Sequence, residues 1–91
     1  MRQPEKLRVA ARSIANAFER SVGRVVIEPF TPDTTVITDG QIAVASIQYT
    51  RGIIKVRVAS REGKLKVVWI GDVPTAVEAD DIVYEVLSEL L

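Results

Sequence analysis

Residues 50–71 read TRGIIKVRVASREGKLKVVWIG. The stretch alternates as a strand does, carries Xaa-Gly dipeptides at Arg51-Gly52 and Glu62-Gly63, and holds its basic residues at Arg51, Lys55, Arg57, Arg61, Lys64 and Lys66 against the single acid Glu62 before Asp72. Xaa-Gly between alternating runs signals a two-residue hairpin, because the tight turn needs positive φ. With Arg51-Gly52 as the first turn, Thr50 faces Ile53, Tyr49 faces Ile54, Ile47 faces Val56 and Ala45 faces Val58. With Glu62-Gly63 as the second, Arg61 faces Lys64, Ser60 faces Leu65, Val58 faces Val67 and Val56 faces Trp69. Opposed residues share a sheet face. Both hairpins then yield one apolar face of Ala43, Ala45, Ile47, Tyr49, Ile54, Val56, Val58, Leu65, Val67 and Trp69. A one-residue slip would mix charges into it.

The flanks complete the architecture. Leu7, Ala11, Ile14, Phe18 and Val22 recur at helical spacing, so an amphipathic helix is expected from Pro4 to Val22, stopped at Gly23. Pro4 suits a first helical turn, where a missing N–H costs nothing. Arg24–Phe30 reads as a strand whose Pro29 places it at an edge, followed by a TPDTT loop. Asp39-Gly40 is a third turn signal of the two-residue kind. After Pro74, Thr75 with Glu78 forms a capping box for a helix running from Ala76 to the end. The expectation is one α+β domain over residues 1–91: a helix, an antiparallel meander of four or five strands, and a second helix, both helices on one sheet face.

Composition narrows the chemistry. The 91 residues contain no Cys and no His, which excludes disulfides, thiol nucleophiles, Cys/His zinc sites and Ser-His triads. The scattered glycines form no phosphate-binding loop. Asp80 and Asp81 are the nearest approach to an acid-only metal site and read instead as a solvated helix face. No enzymatic activity, cofactor or metal is expected. No apolar run is long enough for a membrane span and no signal peptide is evident, so a cytoplasmic protein is expected. Val, Ile, Arg and Glu abound while Asn and Met occur once each, a balance that hints at a thermophilic source.

The chain is neutral overall, yet its charge is segregated. Residues 1–24 hold six bases against two acids, and residues 67–91 hold six acids and no base. On the expected register the uncovered sheet face carries Ile42, Val44, Ser46, Gln48 and Thr50, then Ile53, Lys55, Arg57 and Ala59, then Lys64, Lys66, Val68 and Ile70. Arg51 and Arg61 stand at the hairpin ends. Lysines and arginines on strands also serve simply to keep sheets soluble. They do not explain the aliphatic residues between them, and an apolar patch rimmed by cations marks a contact surface. Cations that follow phosphates beside apolar groups that receive bases suit single-stranded nucleic acid. The expected binding residues are Lys55, Arg57, Lys64, Lys66, Arg51, Arg61, Ile53, Val68 and Phe30. The alternative is a protein–protein interaction or oligomerisation module using the same face without nucleic acid.

The segment RGIIKVRV has the outline of the RNP1 strand of RNA-recognition motifs, but aliphatic residues stand where stacking aromatics belong and no helix separates the strands. The order helix, meander, helix, with a basic and apolar open sheet, resembles the archaeal ThermoDBP-type single-stranded-DNA-binding proteins across Pro4–Leu91. The resemblance implies a sheet cleft that grips bases and an oligomer built through helices. Lys55, Arg57, Lys64, Lys66, Ile53 and Val68 are the residues it carries over.

Phe30 joins the open face, together with Glu28, if a four-residue loop follows it; otherwise it packs at the edge of the core. Trp69, Tyr49 and Phe18 are expected in the core. The last helix has more apolar surface than one contact needs. Ala79, Val83, Val86 and Leu90 cover the sheet, while Val77, Tyr84 and Leu91 follow at seven-residue steps along another edge. A homodimer through that edge is expected, with Asp80 interrupting any continuous coiled coil; the open sheet is the alternative interface.

Overall fold

The first helix forms where apolar residues return every three or four positions. In a computed structural model of the chain, α1 (Glu5–Ser21) buries Leu7, Ala10, Ala11, Ile14, Ala15, Ala17 and Phe18. Pro4 is the N-cap, and the N–H groups of Val22 and Gly23 both donate to Phe18 O at the other end. Val22 therefore leaves the stripe it was expected to extend and is exposed at the cap. The structure describes residues 2–60 and 62–90, Leu90 by its backbone alone, so the expectations for Arg61, Leu91 and the Leu90 side chain lie outside the described residues.

Among the described residues the chain continues as five strands and a second helix: β1 (Val26–Thr31), β2 (Thr34–Thr38), β3 (Ala43–Thr50), β4 (Ile53–Ala59), β5 (Leu65–Gly71) and α2 (Ala76–Leu90). The strands pair antiparallel in sequence order as one open sheet. α1 lies against β1 to β4 and α2 against β4 and β5. Ile37, Ala45, Ile47, Ile54, Val56 and Val58 meet Ala79, Ile82, Val83 and Val86 in the core between the layers. Pro29 lies in an edge strand, as its missing N–H requires.

The β3–β4 hairpin matches its expected register, with Thr50 opposite Ile53, Tyr49 opposite Ile54 and Ile47 opposite Val56. Arg51 (φ 51°) and Gly52 (φ 84°) supply the positive φ pair that a type I′ turn needs. The ladder stops at Ser46–Arg57, so Ala45 and Val58 share the core without pairing.

Three connections differ from expectation. Within TPDTT only Pro32 and Asp33 turn, and Thr34 already pairs with Thr31. The Asp33 carboxylate accepts both threonine hydroxyls, at 2.7 Å from Thr31 and 3.1 Å from Thr34, which holds its pKa below the ordinary value. Asp39-Gly40 opens a four-residue loop, because the Asp39 carboxylate captures the N–H groups of Gln41 and Ile42 and the Thr38 hydroxyl donates to Ile42 O. Behind that loop β3 bulges at Val44, which turns inward with Ala45 and leaves Ala43 exposed.

The third difference lies between β4 and β5. Ser60 N–H donates to Lys64 O at 2.7 Å, so three positions separate the paired ends instead of two, and Gly63 takes φ +78°. One extra loop residue places Ala59 opposite Leu65, Val58 opposite Lys66 and Arg57 opposite Val67. A bulge at Val68 then restores the expected alignment, and Val56 faces Trp69.

One anchor ties the lead-in to α1 to the sheet, and a local cap starts α2. Gln3, only 7% exposed, donates through Nε2 to Thr31 O (2.8 Å) and Thr34 O (3.0 Å) and accepts from the buried Thr35 hydroxyl (2.8 Å). The capping box is present: Thr75 N–H donates to Glu78 Oε1 and Glu78 N–H to Thr75 Oγ1.

Gln3→Ala strands one buried and two partly buried polar partners. Chemical denaturation is expected to show a loss of about 1–3 kcal/mol, and an unchanged midpoint would contradict the anchor. Asp33 and Asp39 both have folded pKa values below the unfolded one. Their contribution is therefore complete above the unfolded pKa of about 3.9 and is lost as the pH falls through the lower folded values. Asp33→Asn is expected to flatten the acid limb of a melting-temperature profile.

Candidate functional site: the open sheet face

The sheet face opposite the helices is built in cross-strand rows. Glu28, Val36, Ser46, Arg57 and Val67 are successive partners across the five strands. Thr34, Gln48, Lys55 and Ile70 form the neighbouring row from β2 to β5. Arg57 Nη1 donates to Gln48 Oε1 at 2.8 Å and so joins the rows. Ile53 and Thr50 finish the β3–β4 end, with Arg51 in the turn beyond them. Phe30 sits at the irregularity where β1 shifts register and is 70% exposed. The alternation of β1 is broken there, and Thr31 beyond it pairs with Thr34 of the open-face row.

The Ser60–Lys64 closure exchanges the members contributed by β5. Lys66 and Val68 were expected here and lie on the helix side instead. Lys66 Nζ is 2.6 Å from Glu89 Oε1 on α2, and Val68 packs against the core. The hydrogen bond to Glu89 raises the Lys66 pKa above its ordinary value. Lys64 closes the hairpin opposite Ser60, two residues from Lys66 and by alternation on its side. In their place Leu65 and Val67, expected under the helices, face outward; Leu65 is 71% exposed. Val44, expected outside, is buried, and Ile42 belongs to the loop before β3. Among the described residues the cations of this face are thus Lys55 and Arg57, with Arg51 at its rim, and Glu28 stands among its residues. The face is more apolar and less basic than the expected register implied.

Trp69 and Tyr49 are half-buried against the core, as expected, and the indole N–H of Trp69 donates to Asp72 O at 3.1 Å. On α2, Val77 and Tyr84 are exposed, as the edge reading requires. Asp80 is spent on Arg20, 2.8 Å away. Among the described residues, no group of three or more His, Cys, Asp or Glu side chains is placed to hold a metal ion, and no helix is long and apolar enough to cross a membrane.

One hollow went unforeseen. Phe18, Val22, Val25, Ile42, Val44 and Leu87 line a space of about 310 Å³ beside the Asp39 loop. Arg24 and Asp39 also border it, and the Asp39 carboxylate is already engaged by backbone N–H groups. Adjacent apolar pairs in the sequence, Val44-Ala45 and Val67-Val68, were the available signal for both the inward turn of β3 and the exchange on β5.

Two substitutions separate the registers. Val67→Lys is expected to change stability by no more than about 0.5 kcal/mol, whereas Val68→Lys loses about 1–3 kcal/mol by driving a charge toward the core. The reverse order in denaturant titrations would restore the two-residue loop. No protein-family model, no curated protein and no solved structure matches the chain, so the character of this face is read from its own residues.

Proposed function

We propose that the chain is a binding module that docks a partner protein on its open sheet face. The observation that supports this most is the outward placement of Leu65 and Val67, which joins Val36, Ile53 and Ile70 into an apolar surface. A solvated antiparallel face alternates cleanly to polar residues, and this one does not. Burying one such aliphatic side chain fully is worth about 1.5–3 kcal/mol. Lys55 and Arg57 then provide orientation, not the bulk of the affinity. Self-association belongs to the same proposal, with α2 contributing a homodimer contact through Val77 and Tyr84.

A second reading is single-stranded nucleic acid, the function implied by the ThermoDBP-type resemblance. It is favoured by Arg51, Lys55 and Arg57 on one hairpin and by the exposed ring of Phe30. Three phosphate contacts give a log–log salt slope of about −2, where six would give about −4.

The experiment pairs two double variants. Leu65→Lys/Ile70→Lys is expected to abolish capture of a specific protein from the source lysate while leaving the melting curve intact. Lys55→Ala/Arg57→Ala is expected to weaken that capture only modestly. Oligonucleotide binding by the parent at low salt, lost in Lys55→Ala/Arg57→Ala and retained in the leucine–isoleucine variant, would replace protein docking with the second reading.

A further inference from the structure

The edge strand β1 divides its side chains between the two faces of the sheet. Glu28 pairs with Val36 in the open-face row, so Ile27 and Pro29 lie on the helix side, opposite the buried Ile37 and Thr35. α1 covers that side only in part: Ile27 stays 39% exposed, and Pro29 is exposed as well. The flank of α1 beside them presents Arg8 and Arg12, four positions apart and therefore on one face of the helix. Arg2 joins them from the lead-in, where its neighbour Gln3 is fastened to Thr31, Thr34 and Thr35.

Arg2, Gln3, Arg8, Arg12, Ile27 and Pro29 line a groove of about 320 Å³ between α1 and β1. Three guanidinium groups border it, and no carboxylate is among its lining residues. The Gln3 amide is spent on the sheet through both Nε2 and Oε1, which leaves the arginines as the free polar side chains of the groove. None of the three is in an ion pair among the described residues, whereas Lys6 and Arg20 on the other flank of the same helix are paired with Asp72 and Asp80. Glu28 is turned to the opposite face of the sheet.

We infer that this groove binds a small organic phosphate, with the phosphate on Arg2, Arg8 and Arg12 and the body of the ligand on Ile27 and Pro29. Three cations without a counter-charge call for more than one negative charge. A phosphate monoester carries about −1.5 to −2 at neutral pH and presents three acceptor oxygens, while a carboxylate has a single charge and two oxygens. The planar fork of arginine matches phosphate oxygens in pairs. The volume lies at the lower end of the range of roughly 300–1,000 Å³ for small-molecule sites, which suits a molecule the size of a mononucleotide. The uncovered aliphatic floor gives a flat or apolar body a surface to leave water on. The groove is on the far side of the sheet from Lys55 and Arg57, so this inference is independent of what the open face binds.

Isothermal titration calorimetry at low salt tests it with adenosine 5′-monophosphate, inorganic phosphate and adenosine as probes. The monophosphate is expected to bind most tightly, phosphate more weakly, and adenosine not detectably. Arg8→Ala/Arg12→Ala is expected to weaken monophosphate binding by about tenfold or more. Arg8→Lys/Arg12→Lys keeps the charge, loses the forks and is expected to fall between that variant and the parent. Lys6→Ala/Arg20→Ala removes the same charge from the other flank of α1 and is expected to leave binding unchanged. Circular dichroism of each variant matching the parent guards against loss of fold. A parent that binds neither the monophosphate nor phosphate overturns the inference, and so does binding that survives Arg8→Ala/Arg12→Ala. Adenosine binding as tightly as the monophosphate overturns the phosphate assignment, and phosphate binding as tightly overturns the part given to Ile27 and Pro29. An unphosphorylated oligothymidylate that binds more tightly than the monophosphate, and is lost in Arg8→Ala/Arg12→Ala, overturns the small-molecule assignment and gives the groove to a nucleic-acid backbone.

Discussion

Ser60 closes the loop before β5 with two contacts to Lys64, its N–H on the lysine carbonyl at 2.7 Å and its hydroxyl on the lysine N–H at 3.3 Å. Gly63, at φ +78°, makes that closure possible because few side chains tolerate the left-handed region. Side chains alternate along a strand, so the length of this loop decides which of Leu65, Lys66 and Val67 meets water on the open face. With three loop residues, Lys66 reaches across to α2 and the aliphatic pair turns out. The bulge at Val68 then brings Trp69 back beneath the helices opposite Val56. The nature of the open face and the attachment of α2 to β5 both follow from one added residue.

The charged contacts described here locate elements more than they stabilise them. Lys6–Asp72, Arg20–Asp80 and Lys66–Glu89 all involve partly or largely exposed side chains. Pairs of this kind contribute little, because solvent screens them and two long side chains must be held still. Core burial supplies the larger part, with Leu7, Ile14 and Phe18 of α1 and Ile82, Val83 and Val86 of α2 enclosed against Ile37, Ile47, Ile54 and Val56. The alanines of α1 bring its backbone close to the sheet. The ion pairs then fix which flank of each helix faces the other, and hence which charges remain on the outside.

Much of this was legible in the sequence, for identifiable reasons. The α1 stripe, the Thr75–Glu78 cap and the Arg51-Gly52 turn each rest on local rules that leave few alternatives. Glu62-Gly63 does not, because glycine serves equally as the second residue of a two-residue turn or as the left-handed residue ending a three-residue one. Lys64 and Lys66 alternate with apolar neighbours in either case. Asp39-Gly40 failed differently: the Asp39 carboxylate found its partners in the backbone of Gln41 and Ile42, which spacing alone does not reveal. Gln3 was passed over because its partners lie 28 to 32 residues away. The register was therefore read correctly through the β3–β4 hairpin, and misread at Ala43 and Val44 before it and where β5 begins after it.

The register irregularities have a consequence at the two outer strands. β1 breaks step at Phe30, next to Pro29, and β5 breaks step at Val68. An open sheet offers its unpaired N–H and C=O groups to any passing extended chain, and a long regular edge of apolar residues templates endless stacking. Here each border is interrupted within a few residues, and the β5 border also holds Lys66. The uncovered, partly apolar sheet is thereby left with margins that make poor seeds for fibrils.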